Sequence, residues 1–217
     1  MCRILMIKSK KNFSIAEFGL EFAEKCQKSK YWQGDGWGIC WQNKKNKWQV
    51  WKSLSPIWKN GEIFHKFPKS KMFLIHARGA SFKKDKNNLE YNQPFVKEGI
   101  AFLFNGNIIG MRTSLKIPGE IGSQKVFYLV KKYIPKEGIR GAIQKVRKMV
   151  ESGAKKIEAL NIGICDKKKF YLLCRYEIDE NYYKIRYFKA REMELVCSEE
   201  IANFPFKTMG NGQLLII

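Results

Sequence analysis

The residue with the clearest chemical potential is Cys2, which sits between Met1 and Arg3 directly ahead of the apolar run Ile4 to Ile7. Removal of Met1 makes Cys2 the N-terminal residue, so that one residue carries both a thiol nucleophile and a free α-amine to act as its base. An N-terminal amine has an unperturbed pKa of about 7.7–8.0 and a thiol about 8.5, so both are partly deprotonated near neutrality. This is the N-terminal-amine form of an activated nucleophile. The competing reading is structural: a small side chain at the buried start of a β-strand.

Two further places supply what such a nucleophile needs. Met72 to Ile75 is a continuous apolar run that ends in His76-Ala77-Arg78-Gly79-Ala80-Ser81. A cation just after a buried strand is costly unless an anion meets it, and a guanidinium clamps a carboxylate bidentately. The alternative for Arg78 is a salt bridge to an acidic side chain. Ile100 to Phe104 is a second apolar run, ended by Asn105-Gly106-Asn107. Asn-Gly after such a run is usually a hairpin turn, but a side-chain amide and a glycine N–H also form a donor pair for an oxyanion.

The elements that must position these residues follow from periodicity. Ile4 to Ile7 reads as a buried strand ended by Lys8-Ser9-Lys10-Lys11. Ser14 is a helix N-cap, with Ile15, Phe18, Phe22 and Cys26 as the inward stripe of a helix through about Lys28. Gly34-Asp35-Gly36-Trp37-Gly38 leads into a strand rather than a helix, so it is not a dinucleotide fingerprint. Trp37 to Trp41 and Trp48 to Trp51 read as a hairpin. Ser53 to Lys71 is a loop-rich connector, with His65 an ordinary surface or packing residue. Helices are expected over Ser123 to Tyr133 and Ile139 to Glu151. Strands are expected over Ala159 to Cys165, Phe170 to Tyr176, Tyr182 to Lys189 and Met193 to Cys197, with Leu214 to Ile217 as a short edge strand. No repeat, linker or composition break divides residues 1–217, which predicts a single domain.

Composition bounds the possibilities. A chain of 217 residues that is 45% hydrophobic and 14% aromatic can bury a substantial core. Its net charge of +21 suits an anionic partner such as nucleic acid. The Lys residues are scattered in turns, however, which favours a solubilising surface. The tryptophans alternate as hairpin core residues rather than as a stacking platform for bases. The six cysteines form no CxxC pair, and with only two histidines a metal site is not expected. No apolar run is long enough to span a bilayer; the expected location is the cytoplasm, with reduced thiols.

Taken together, Met1-Cys2-Arg3, Gly34-Asp35-Gly36-Trp37-Gly38, His76-Ala77-Arg78-Gly79-Ala80-Ser81, Asn92-Gln93-Pro94-Phe95 and Phe104-Asn105-Gly106-Asn107-Ile108 resemble the class-II glutamine amidotransferases, which are N-terminal-nucleophile hydrolases. The resemblance covers roughly the N-terminal half. It implies an α+β fold, a four-layer α-β-β-α sandwich of two stacked, mainly antiparallel sheets between helices. It implies Cys2 as the nucleophile that takes glutamine to glutamate and ammonia through a glutamyl thioester, with Asn105 and Gly106 as the oxyanion hole. Arg78, Gly79, Ser81 and Gly122 fall at its substrate-binding positions, and no cofactor is implied. At this length the chain reads as a stand-alone glutaminase that serves a separate ammonia-accepting synthase subunit.

Departures from the family pattern bear on the substrate. Gln93 precedes Pro94 where the family has His, and Phe104 replaces a His before Asn-Gly. Ile121-Gly122-Ser123-Gln124 stands where the family carries the Asp that holds the substrate ammonium; Glu120 is the nearest carboxylate. Two alternatives therefore stand beside the glutaminase: the same chemistry on another γ-glutamyl amide, and a non-catalytic basic module for nucleic acid.

Overall fold

The computed structural model describes all of residues 1–217. The N-terminal half runs β1 (Arg3–Phe13), α1 (Ala16–Gln27), the hairpin β2 (Trp37–Gln42) and β3 (Trp48–Ser53), then β4 (Ser70–Ala77), β5 (Phe95–Lys97) and β6 (Ile100–Ile109). The long helical segment α2 (Gly122–Gly153) follows, then β7 (Lys156–Cys165), β8 (Phe170–Cys174) and a single-turn helix α3 (Glu180–Tyr183). The chain closes with β9 (Arg186–Lys189), β10 (Met193–Cys197), β11 (Lys207–Thr208) and β12 (Gln213–Ile216).

The strands form two sheets in which every pairing is antiparallel. One is seven-stranded, in the order β11-β9-β10-β1-β4-β2-β3; the other is five-stranded, in the order β12-β8-β7-β6-β5. Each draws strands from both halves of the chain.

Alternation along the strands explains the layering. In β1, Leu5 and Ile7 face Phe22, Ala23 and Cys26 of α1, while Ile4 and Met6 face the other sheet. In β6, Phe102 and Phe104 pack under Val126, Leu129 and Val130 of α2, while Ala101 and Leu103 meet Ile4 and Met6. Because successive strand residues point to opposite faces, these near-continuous apolar runs serve two cores at once. The result is helix, sheet, sheet, helix: the four-layer α+β sandwich expected from the sequence. Trp37 and Trp51 pack against each other and, with Trp41, against Phe64 and Phe67, so the hairpin tryptophans are core residues.

Several expectations need correction. β1 does not stop at Lys8 but continues to Phe13, because the opposite strands β10 and β4 run on beside it. The helix begins at Ala16 with Ile15 at the N-cap; the Ser14 hydroxyl still accepts from the Ala16 N–H at 3.3 Å. The two helices expected after Pro118 join at Gly138, whose φ of 65° and ψ of 175° mark the kink between them. Tyr182 to Lys189 is not one strand: Tyr182 and Tyr183 belong to α3, and only Arg186–Lys189 pairs with β10. Asn105-Gly106-Asn107 does not end its strand either. β6 runs through it, pairing Asn105 with Asn161, Gly106 with Leu160 and Asn107 with Ala159, with irregular register only beyond Asn107.

Leu5 is fully buried and Lys11, on the same strand, is exposed. Leu5→Ala should lower the unfolding free energy by about 2–5 kcal/mol, the usual cost of such a truncation in a close-packed core, whereas Lys11→Ala should stay within about 0.5 kcal/mol. Urea denaturation of the two variants checks both.

Candidate active site

Cys2 lies just before β1, beside the C-terminal end of β4, since Arg3 pairs with Ala77 and Ile4 with His76. Its backbone is held from two sides. The Cys2 N–H donates to Asn105 Oδ1 at 3.2 Å, and the Tyr182 hydroxyl donates to the Cys2 carbonyl at 3.1 Å. Tyr182 is itself set by Gln33, whose Nε2 donates to its hydroxyl oxygen at 3.1 Å. Arg3, 4% exposed, donates to the Tyr182 and Ser198 carbonyls and pairs with Glu199, which anchors the start of the strand. The Met1 amine donates to the Gly79 carbonyl at 3.2 Å.

Asn105 is almost fully buried, and because its Oδ1 is occupied by the Cys2 N–H, its Nδ2 must be the free end of the amide. That Nδ2 has no partner in the protein. A buried donor left unpaired costs about 1–3 kcal/mol, and this one belongs to the side chain that holds the Cys2 N–H. Strand alternation aims Asn105 into the layer between the sheets, where Asn161 sits opposite it. Asn161 donates to the Tyr183 carbonyl and accepts from the Arg175 N–H.

His76 is fully buried and points into the same layer, on the face of β4 that also carries Met72 and Leu74. Its Nε2 meets the Phe104 carbonyl at 3.3 Å. A carbonyl only accepts, so Nε2 carries the proton and Nδ1 is the basic nitrogen. Nδ1 has no partner of good geometry. Gln93 completes the arrangement, donating to the Phe104 carbonyl at 3.1 Å and accepting from the Phe104 N–H at 2.6 Å.

These surroundings set Cys2 apart from the other thiols. Burial alone pushes its pKa up, but the neighbouring His76 ring, the N-terminal amine and the Gly79 backbone bring it down to about 6. Burial pushes Cys174 up to about 11, Cys197 up to about 12, and Cys26, Cys40 and Cys165 up as well. Only one thiol in the chain is therefore poised to ionise near neutrality.

Cys2, Gly106, Arg78, Gly79, Ser81 and Gly122 line one cavity of about 570 Å³. Gly79 is there because two backbones lie against it: a Cβ would fall 2.2 Å from the Trp32 carbonyl oxygen and 2.4 Å from both the Met1 nitrogen and oxygen. Gly106 lets β6 approach β7, since a Cβ would meet the Ala159 carbonyl oxygen at 2.0 Å. Arg78 is 4% exposed, and its guanidinium donates to the carbonyls of Asp35, Asp85 and Lys86 and to Asn92 Oδ1. It makes no direct ion pair, so the salt bridge considered for it is absent, although the Asp35 and Asp85 carboxylates lie near enough to act on its charge. Asp35 braces the following turn by accepting from the Ala80 N–H at 2.8 Å and by pairing with Lys86.

The sequence reading missed His76, Tyr182, Gln33 and Asn161 as residues that position the thiol. His76 had a readable signal: alternation from Met72 puts it on the buried face, where an imidazole needs a polar neighbour. His65 is exposed, as expected.

Neither a protein-family model nor a curated protein matches the sequence. Solved structures match the fold closely. A glutamine aminotransferase class-II domain protein from Silicibacter pomeroyi superposes with a TM-score of 0.66 at 15% identity, covering 100% of this chain and 94% of that one. A predicted glutamine amidotransferase from Pseudomonas aeruginosa gives 0.58 at 15% identity over 99% and 96%. The glutamine phosphoribosylpyrophosphate amidotransferase of B. subtilis gives 0.58 at 17% identity, with 91% of this chain covering 42% of that longer enzyme. The chain thus has the fold of the class-II glutamine amidotransferase domains.

The rate of Cys2 alkylation by iodoacetamide should follow thiolate content, rising with pH around a midpoint near 6. A depressed acid loses its charged form only as pH falls through that midpoint, so reactivity should persist at pH 7 and fade below 6. His76→Ala removes the leading favourable influence and should move the midpoint upward toward the ordinary thiol value. An unchanged midpoint in that variant would remove His76 from the account.

Proposed function

We propose that this protein is an amidohydrolase of the glutamine amidotransferase type, in which Cys2, freed of Met1, is the nucleophile. The observation that carries this reading is the conjunction of a single acidic thiol with a buried, unpartnered amide donor beside it. The fold likeness supports the same class.

The Cys2 thiol gives its proton to the α-amine or to His76 Nδ1, and the thiolate attacks the side-chain amide carbon of glutamine or of a γ-glutamyl amide. A C–S bond forms, and the carbonyl oxygen takes up negative charge against Asn105 Nδ2 and the Gly106 N–H. Collapse breaks the C–N bond, and the departing nitrogen takes the stored proton and leaves as ammonia. Water, deprotonated by the same base, adds to the thioester and releases the carboxylic acid, which restores the thiol. Arg78 meets the substrate carboxylate, and Gly79, Ser81 and Gly122 border the bound chain. The ammonia passes to a separate acceptor subunit, and the reaction takes place in the cytoplasm. No helix of the structure is long and apolar enough to cross a membrane.

Ammonia release from glutamine and from γ-glutamyl amides, measured on protein whose N-terminus is shown by mass to be Cys2, tests the reading. Asn105→Ala should retain Cys2 alkylation while turnover falls about 100–1000-fold, the usual cost of one oxyanion donor. Full activity in Asn105→Ala, or no ammonia from any of these amides, would refute it.

A further inference from the structure

The cavity beside Cys2 has a mixed lining. Arg78, Ser81 and Gln93 are among its polar residues. Phe104, Ile108, Leu115, Ile117, Ile121 and Leu129 give it a large hydrocarbon share. Its volume of about 570 Å³ falls within the range of pockets that enclose drug-sized ligands, about 300–1,000 Å³. Met1 lines it as well, so removal of that residue adds space next to the nucleophile.

The charges around the cavity are asymmetric. Arg78 is a buried cation held by carbonyls and by no direct ion pair, and it lines the cavity, so an incoming carboxylate finds a favourable charge there. The N-terminal turn of α2 also borders the cavity, with Ile121, Gly122 and Ser123 in the lining and no acidic residue in that turn. The positive end of the helix dipole and Lys125 both disfavour an ammonium there. Of the two lining carboxylates, Asp85 lies in the loop near Arg78, and Glu120 is exposed. At Gly122, an exposed position, a Cβ would meet nothing within 4 Å, so there is open space at this part of the lining.

We propose that the substrate is a side-chain amide whose α-nitrogen is acylated by a hydrocarbon chain, an Nα-acylglutamine-type molecule rather than the free amino acid. The reading rests on the amidohydrolase proposed above and names its substrate class. The carboxylate meets Arg78 and the side-chain amide meets Cys2. The uncharged α-amide lies along the start of α2, whose first turn offers an ammonium no carboxylate, and the acyl chain covers the hydrocarbon part of the lining. Apolar contact within such a pocket discriminates by about 10–200-fold per methylene at best, enough to separate acylated from free substrate.

Rates of ammonia release from glutamine, Nα-acetyl-L-glutamine and Nα-octanoyl-L-glutamine test it. kcat/KM should rise along that series, with at least about a tenfold preference for the octanoyl compound over glutamine. Gly122→Asp introduces an anion into the open space and suits a helix N-terminal turn; it should reverse the preference toward glutamine. Equal or better turnover of glutamine by the unaltered protein would overturn the proposal while leaving the amidohydrolase intact. If no amide is turned over, the amidohydrolase reading fails and binding decides the substrate class on its own. Calorimetry on Cys2→Ala should then show the octanoyl compound bound at least about tenfold more tightly than glutamine, and equal or weaker binding would overturn the proposal.

Discussion

The hydrogen bond from the Cys2 N–H to Asn105 Oδ1 is the contact on which the site depends. It joins the residue before β1, in the seven-stranded sheet, to β6 in the five-stranded sheet. It also fixes the Asn105 amide so that its one free polar atom is a donor, held in a nearly solvent-free layer. The sandwich is what makes this contact possible. Each sheet must bury both faces, so the facing residues of β1, β4 and β6 meet, and the few polar ones among them are forced into each other's company. Cys2, His76 and Asn105 are three of these residues. In a low-dielectric layer their mutual effects are large, which is why one thiol falls to about 6 while buried thiols elsewhere rise.

The second constraint is backbone proximity. The chain before β1 lies against Gly79, and a side chain at that position would collide with it. Asp35 holds the Ala80 N–H, and Arg78 gathers the carbonyls of Asp85 and Lys86. The turn after β4 is therefore built as a unit around the Arg78 guanidinium. The carbonyls that hold this cation supply dipoles rather than full negative charges, so the proposed role of anion receptor is compatible with anchoring the turn.

Much of this was legible in the sequence because strand runs and helical stripes are local patterns. Ile4 to Ile7, Met72 to Ile75 and Ile100 to Phe104 read as buried strands, and both α-helical layers followed from apolar spacing. Asn105-Gly106 was chemically suggestive but structurally misread. Its turn preference is a local tendency, and pairing with Asn161 and Leu160, more than fifty residues away in the chain, overrides it. Tyr182 and Gln33 could not be placed, because their relation to Cys2 exists only once α3 folds back over the start of β1. His76 sits between these cases: alternation from Met72 could have placed it inside, but only the other sheet shows that it meets the Phe104 carbonyl and the thiol.

The central claim is that the processed Cys2 forms a covalent thioester. The direct measurement is intact mass after rapid acid quench of the native protein with a side-chain amide substrate, followed by peptide mapping. The account predicts an N-terminus lacking Met1 and a single acyl adduct confined to the Cys2 peptide, lost when Cys2 is replaced by Ala. Turnover by protein that retains Met1, or an adduct on any other residue, would contradict it.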